Sequence, residues 1–181
     1  MITKSALIKV IREIIRERGE LSLREIARKS SIAPSAAKYI MDFLLSNSVV
    51  EKRILGKMHL FKIKNNFLTK NMKILYSLYE INSSKLTEEI IKRDNTVMSI
   101  ILYGSVAKGE DDSKSDIDLL IISRKKLNIP DLKSENKLKR ELNIIKYAYN
   151  EWKQKAQKDR VFYENIILNC IPLYGEKPVV I

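Results

Sequence analysis

Two carboxylates separated by one residue, Asp116 and Asp118, stand ten residues after a Gly104-Ser105 pair. These residue types at this spacing suit phosphate and metal chemistry. Paired carboxylates offer hard oxygen ligands to divalent cations. A small-residue turn lets backbone amides and a hydroxyl approach an anion. The surrounding elements must then position these groups. The apolar run Val97 to Tyr103 reads as a buried strand that ends at the turn, and Leu119-Leu-Ile-Ile122 as the strand that the acids lead into. The two-residue period of a strand sets Asp116 and Asp118 on one face. Together the parts would hold a nucleoside triphosphate and its magnesium. Gly104 to Gly109 also has the glycine spacing of a P-loop, but Glu110 and Asp111 occupy the positions where Lys and Ser/Thr are required.

Gly104-Ser105, ten residues and Asp116-Ile-Asp118 resemble the Gly-Ser-x10-Asp-x-Asp motif of the DNA polymerase beta nucleotidyltransferase superfamily. The shortness of the surrounding chain, about residues 84 to 181, resembles its minimal nucleotidyltransferase branch. The resemblance implies Mg2+-dependent transfer of a nucleoside monophosphate from a triphosphate, with ATP the expected donor, to a protein or nucleic-acid hydroxyl. It further implies that Asp116 and Asp118 are catalytic and hold two Mg2+ ions, while Gly104 and Ser105 grip the terminal phosphates. Lys108 stands where the family often carries Arg, which keeps a nucleotide contact open but without the bidentate fork. The family usually adds a third carboxylate from the next strand, and Glu141-Leu-Asn143-Ile-Ile145 is the matching segment. Asn143 stands at the expected aspartate position. Glu141, two residues earlier and on the same strand face if the strand starts that early, is the alternative catalytic acid. Minimal members are often paired with a helical partner protein in toxin-antitoxin-like systems, so the resemblance also implies such a partner.

Composition narrows the alternatives. The 181 residues are 45% apolar and 31% charged, as in a soluble globular protein with one core or two small ones. A single cysteine, Cys170, and a single histidine, His59, argue against an internal disulfide, a cysteine-rich zinc site or a Ser/His/Asp triad. Cys170 reads as a buried, inert thiol. No apolar run approaches the ~20 residues of a membrane helix, and Met1 to Glu20 mixes charges throughout, so the expectation is a cytoplasmic protein with no membrane partner. The net charge of +12 is uneven: residues 1 to 65 hold fourteen Lys/Arg against six Asp/Glu. That bias favours a polyanionic partner for the first third.

Apolar spacing in that third predicts a helix over Ile2 to Arg18 ended by Gly19, and a second helix opened by a Ser22/Glu25 capping box. A third helix follows over 34 to 47, with Pro34 at its first position and Ala37, Ile40, Met41, Leu44 and Leu45 inside. Val49–Leu55 and Met58–Lys64 then read as a hairpin turning at Gly56-Lys57. This order resembles the winged helix-turn-helix family, whose implied use is binding double-stranded DNA. On that resemblance Ser35, Lys38 and Tyr39 face the groove, with Lys52, Arg53 and Lys57 against phosphate. Winged helices also serve as dimerisation or protein-docking modules, and a homodimer stays open.

The fold class expected is therefore α+β. A winged helix-turn-helix domain (1–65) leads through a linker helix (66–83) to a small mixed-sheet nucleotidyltransferase-like domain (84–181). The linker reads as helical over Asn66 to Ile81, with Phe67, Ile74, Leu75, Leu78 and Tyr79 at packing spacing and a break at Asn82-Ser83-Ser84. Beyond Asp118 the pattern predicts a polar helix over Asp131 to Arg140, a strand over Leu142 to Tyr147 and one long helix over Glu151 to Asn169. Glu110, Asp111 and Asp112 read as solvated loop acids. Two functions compete on these grounds. One is the transferase with a DNA-directing module. The other is a DNA-binding transcriptional regulator whose nucleotidyltransferase-like domain is a catalytically weak nucleotide sensor or dimerisation unit, which the neutral Asn143 favours.

Overall fold

Contacts divide the chain into two units, Met1–Met72 and Lys73–Ile181. The structure, a computed structural model, describes residues 5–17, 19–112, 114–125, 132, 134–138 and 140–180.

In the first unit, α1 (Ala6–Arg16) buries Val10, Ile14 and Ile15 along one face. It is shorter than its apolar rhythm suggests: Glu17 is already extended, two residues before Gly19, and the chain goes on to pair as β1 (Leu21–Ser22). Residues 1–4 and 18 of the expected helix lie outside the described residues. Ser22 then caps α2 (Leu23–Ser30) with the reciprocal capping box, its hydroxyl accepting from the Glu25 amide and its own amide donating to the Glu25 carboxylate. Pro34 opens α3 (Pro34–Ser46), which buries Ala37, Ile40, Met41 and Leu44. β2 (Val50–Leu55) and β3 (Met58–Ile63) form an antiparallel hairpin around Gly56, whose φ of +59° is one that L side chains rarely adopt. The sheet order is β1-β3-β2, and the two-residue β1 was not legible because it is too short to show a period. Val49, Val50 and Phe61 join the helices in one core, yet every residue from Glu51 to His59 is exposed.

Helix α4 (Phe67–Ser84) is capped by Asn66 and Thr69, whose side chains each accept from the other's amide. It runs through Asn82-Ser83-Ser84 instead of breaking there. The break falls at Lys85, at φ +66°, where the Ser84 hydroxyl donates to the Ile81 carbonyl and accepts from the Leu86 amide. Its expected packing face is buried only in part, Leu78 packing against the core that contains Ile81. Phe67 and Leu75 are 85% and 69% exposed, whereas Thr69, Ser77 and Ile81 are buried.

The second unit is built on a mixed sheet of order β6-β5-β4-β7. After α5 (Leu86–Arg93) come β4 (Val97–Tyr103), α6 (Gly104–Lys108), β5 (Ile117–Ser123), α7 (Glu135–Leu138) and β6 (Leu142–Ala148). The chain closes with α8 (Tyr149–Lys158), α9 (Arg160–Asn169) and β7 (Ile171–Tyr174). β5 and β6 are parallel and the other pairings antiparallel. The central strands β4 and β5 are covered on both faces, which explains their continuous apolar runs. Ile100, Leu102, Ile117, Leu119 and Ile121 pack with α5 on one side. Ile101, Leu120 and Ile122 pack on the other with Trp152 of α8 and Ile166 of α9. The Trp152 indole donates to the Pro178 carbonyl at 2.7 Å, tying the final segment to this core.

The single long helix expected over Glu151 to Asn169 is two. Asp159 leaves helical geometry and its carboxylate accepts from the Phe162 amide at 3.1 Å, capping α9. The polar helix expected over Asp131 to Arg140 is described only as α7, with 131, 133 and 139 outside the described residues. Cys170 is buried, which pushes its thiol above the usual range, and His59 is exposed on the hairpin. Among the described residues no helix is long and apolar enough to cross a membrane.

Candidate active site

Strand β4 delivers the chain to Gly104, where φ is +73°, and α6 begins at once. Glycine is needed here for two reasons. The conformation is one that L side chains rarely adopt, and a Cβ at this position would overlap the Asp118 carboxylate, lying 3.0 Å from its Cγ. Ser105 follows, half-buried, and its carbonyl accepts from the Glu110 amide at 3.0 Å. Lys108 is exposed at the end of α6.

Register gathers the rest. Asp118 lies opposite Tyr103 on β4 and opposite Asn143 on β6, so the three form a row across one face of the sheet. Asp116 is exposed just ahead of β5, two residues before Asp118 in the chain. The Asn143 amide donates from Nδ2 to Asp118 Oδ1 at 2.9 Å. Asn143, not a carboxylate, is therefore the side chain beside Asp118 on the neighbouring strand. Glu141 is exposed immediately before β6, and its backbone carbonyl accepts from the Ile117 amide at 2.9 Å.

Tyr103 was not singled out from sequence, because an aromatic residue at the end of an apolar run reads as packing. Burial first, and then the nearby Asp118 charge and Tyr147, push its phenol up to about 12.

One of the three loop acids departs from the solvated set expected of them, while Glu110 is exposed. Asp111 is buried and its Oδ2 pairs with Arg140 Nη1 at 3.0 Å, while Arg140 Nε donates to the Ser115 carbonyl at 2.7 Å. Burial pushes the Asp111 carboxyl above its usual range, against the lowering effect of the Arg140 charge. A separation of 29 residues hides this pair from any local pattern.

Among the described residues no three His, Cys, Asp or Glu side chains are placed as a metal-holding cluster. The donors available are the Asp116 and Asp118 carboxylates and the Asn143 amide oxygen. An all-oxygen set of this kind fits a hard cation such as Mg2+ and not a soft one.

The DNA-contact candidates belong to the first unit. Ser35, Lys38 and Tyr39 are exposed along α3, with Tyr39 78% exposed, and Lys52, Arg53 and Lys57 are exposed on the hairpin. Arg53 already has a partner: its Nε and Nη2 donate to the Glu20 carboxylate at 2.9 and 2.5 Å.

No curated protein matches the chain. A crystal structure of a Sulfolobus solfataricus protein, provisionally described as a nucleotidyltransferase, is similar at 15% identity and a TM-score of 0.36, covering 65% of this chain and 96% of that one. The family model for polymerase beta nucleotidyltransferases matches residues 85–178, a span that contains the Gly104 turn, both aspartates and the Asn143 strand. Since that match takes in more than half of the sequence, the chain belongs to the polymerase beta nucleotidyltransferase family.

Proposed function

We propose that the second unit transfers a nucleoside monophosphate from a nucleoside triphosphate, ATP by expectation, to a hydroxyl of a protein or nucleic acid. The observation that carries this reading is the close approach of Gly104 to Asp118, with the exposed Asp116 two residues ahead of it in the chain. Backbone of the Gly-Ser turn and carboxylate oxygen are thereby adjacent, as a triphosphate and its counter-ion require. In the reaction the acceptor oxygen attacks the α-phosphorus in line, the new O–P bond forms and the bond to pyrophosphate breaks. Gly104 and Ser105 would orient the leaving phosphates, with Lys108 as a further contact. Asp116 and Asp118 would hold Mg2+, which when bound neutralises phosphate charge and lowers the cost of the developing negative charge. Glu141 is the candidate to accept the acceptor's proton, because the neutral amide of Asn143 cannot.

A second reading has its own observation. Asn143 bonds Asp118 where a third acid would add negative charge, which favours a nucleotide sensor of low turnover. Incubating the chain with labelled triphosphates, Mg2+ and protein or RNA acceptors separates the two. Transfer abolished by Asp116→Ala and by Asp118→Ala supports the enzyme. Transfer that survives both substitutions removes this site. Nucleotide binding without transfer supports the sensor.

For the first unit the proposal is a winged helix-turn-helix that binds double-stranded DNA. It is supported by the succession α2, α3 and hairpin, by the exposure of Ser35, Lys38 and Tyr39 on α3, and by exposed Lys52, Lys57 and Lys62 on the hairpin. Duplex binding measured across a salt series tests it. A full chain that fails to bind at low salt, where counterion release favours binding most, overturns it.

A further inference from the structure

Among the described residues of the loop between the two halves of the motif, Glu110 to Ser115, none belongs to a helix or strand, and this loop leads directly into Asp116. One buried guanidinium holds both of its ends. Arg140 pairs through Nη1 with the Asp111 carboxylate at 3.0 Å and through Nε with the Ser115 carbonyl at 2.7 Å, and their side chains are only 9% and 5% exposed. Lys73 Nζ adds a bond to the Asp111 carbonyl at 2.7 Å. Inside the loop, Asp112 and Ser115 close a turn: the Ser115 amide donates to the Asp112 carbonyl, and the Asp112 amide donates to Ser115 Oγ. Arg140 itself stands next to Glu141, whose carbonyl receives the Ile117 amide, and three residues before Asn143. The same guanidinium therefore registers the loop that carries Asp116 against the strand that carries Asn143.

We propose that Arg140 and Asp111 form a clasp that positions Asp116 for nucleotide binding, Arg140 acting as a positioning residue through the Ser115 carbonyl. The proposal rests on the nucleotide-transfer reading of the site. Its chemistry explains why a costly buried ion pair stands here. An apolar pair of similar volume would fill the space at no electrostatic cost, but it could not donate to the Ser115 carbonyl and the Asp111 carboxylate, which the planar guanidinium reaches through two separate nitrogens, Nε and Nη1. Asp111 Oδ1 and Arg140 Nη2 are both buried and have no hydrogen-bond partner among the described residues. Asp111 is thus committed to holding Arg140, and Arg140 to holding the loop.

The test compares the wild-type chain with Arg140→Lys, Arg140→Ala and the double variant Asp111→Leu/Arg140→Met. Three quantities are measured: melting temperature, amide hydrogen exchange over residues 110 to 117, and binding of Mn2+ with a non-hydrolysable ATP analogue. The double variant keeps a filled interior, so it is expected to melt near the wild-type temperature while exchange in the loop rises at least tenfold. Affinity for the Mn2+-nucleotide is expected to fall at least tenfold in the same variant. Arg140→Lys is expected to fall between it and the wild type, since an ammonium keeps the charge without the planar fork. A folded double variant with wild-type loop exchange overturns the clasp. Loosened exchange with unchanged nucleotide affinity overturns the positioning role. A wild-type chain that binds no nucleotide overturns the transfer reading together with this role, and the exchange measurement still reports separately whether Arg140 holds the loop.

Discussion

Gly104 lies so close to Asp118 that a single added carbon would overlap the carboxylate. The turn and the acid are separated by a loop and reach each other only because β4 and β5 pair in the register Tyr103 to Asp118. Gly104→Ala meets two obstacles at once. The left-handed conformation at φ +73° costs an L residue about 1 kcal/mol, and the methyl displaces Asp118. The expected outcome is a folded chain with a lowered melting temperature and at least tenfold weaker triphosphate binding, read by calorimetry. Wild-type affinity in the variant would show that the close approach has no role in binding.

Asn143→Asp restores a carboxylate beside Asp118. Two adjacent like charges repel, so the variant is expected to lose about 1 kcal/mol of stability without divalent ions and to recover it when Mg2+ is added. Melting curves with and without Mg2+ check this. A gain in nucleotide transfer in the same variant would assign the native amide to the sensor reading, whereas lost transfer would make Asn143 a working part of the site.

Tyr103 sets a pH dependence with a defined sign. Its phenol is pushed up to about 12 in the folded chain and lies near the ordinary phenol value when unfolded. The contribution is therefore fully present below the unfolded value and is lost as pH rises from there through the folded one. Tyr103→Phe is expected to flatten the fall in urea midpoint over that alkaline window. An unchanged slope would show that the Tyr103 hydroxyl is solvated like any other.

The basic hairpin carries a graded expectation. Lys57→Ala, at the tip, is expected to reduce the salt dependence of duplex binding by about one unit of slope. Arg53→Ala should change it less, because Glu20 already occupies that guanidinium. Being an exposed pair, its loss should also leave the melting temperature close to that of the wild-type chain. Equal effects of the two substitutions on the slope would show that Arg53 leaves Glu20 when DNA binds.

Features legible in the sequence are those generated by neighbours along the chain. The capping box of α2, Pro34 at the start of α3, the turn at Gly56 and the apolar runs of β4 and β5 each follow from hydrogen bonding or side-chain period within a few residues. Gly104, Asp116 and Asp118 belong to this class because their spacing survives in one dimension. Other features depend on which segments meet. The two-residue β1 exists only because β3 lies beside it, and α4 runs past its expected break. Asp159 divides a continuous helical pattern by capping the helix that follows.

The sequence by itself determined the strand, turn and paired-acid order of the site, since backbone geometry and strand alternation act locally. Only the tertiary structure decided what those acids touch. Parallel pairing of β5 with β6 brings the Asn143 amide to Asp118, and packing buries Asp111 against an arginine 29 residues away. A loop acid is solvated or committed according to what covers it, and that cover comes from distant parts of the chain.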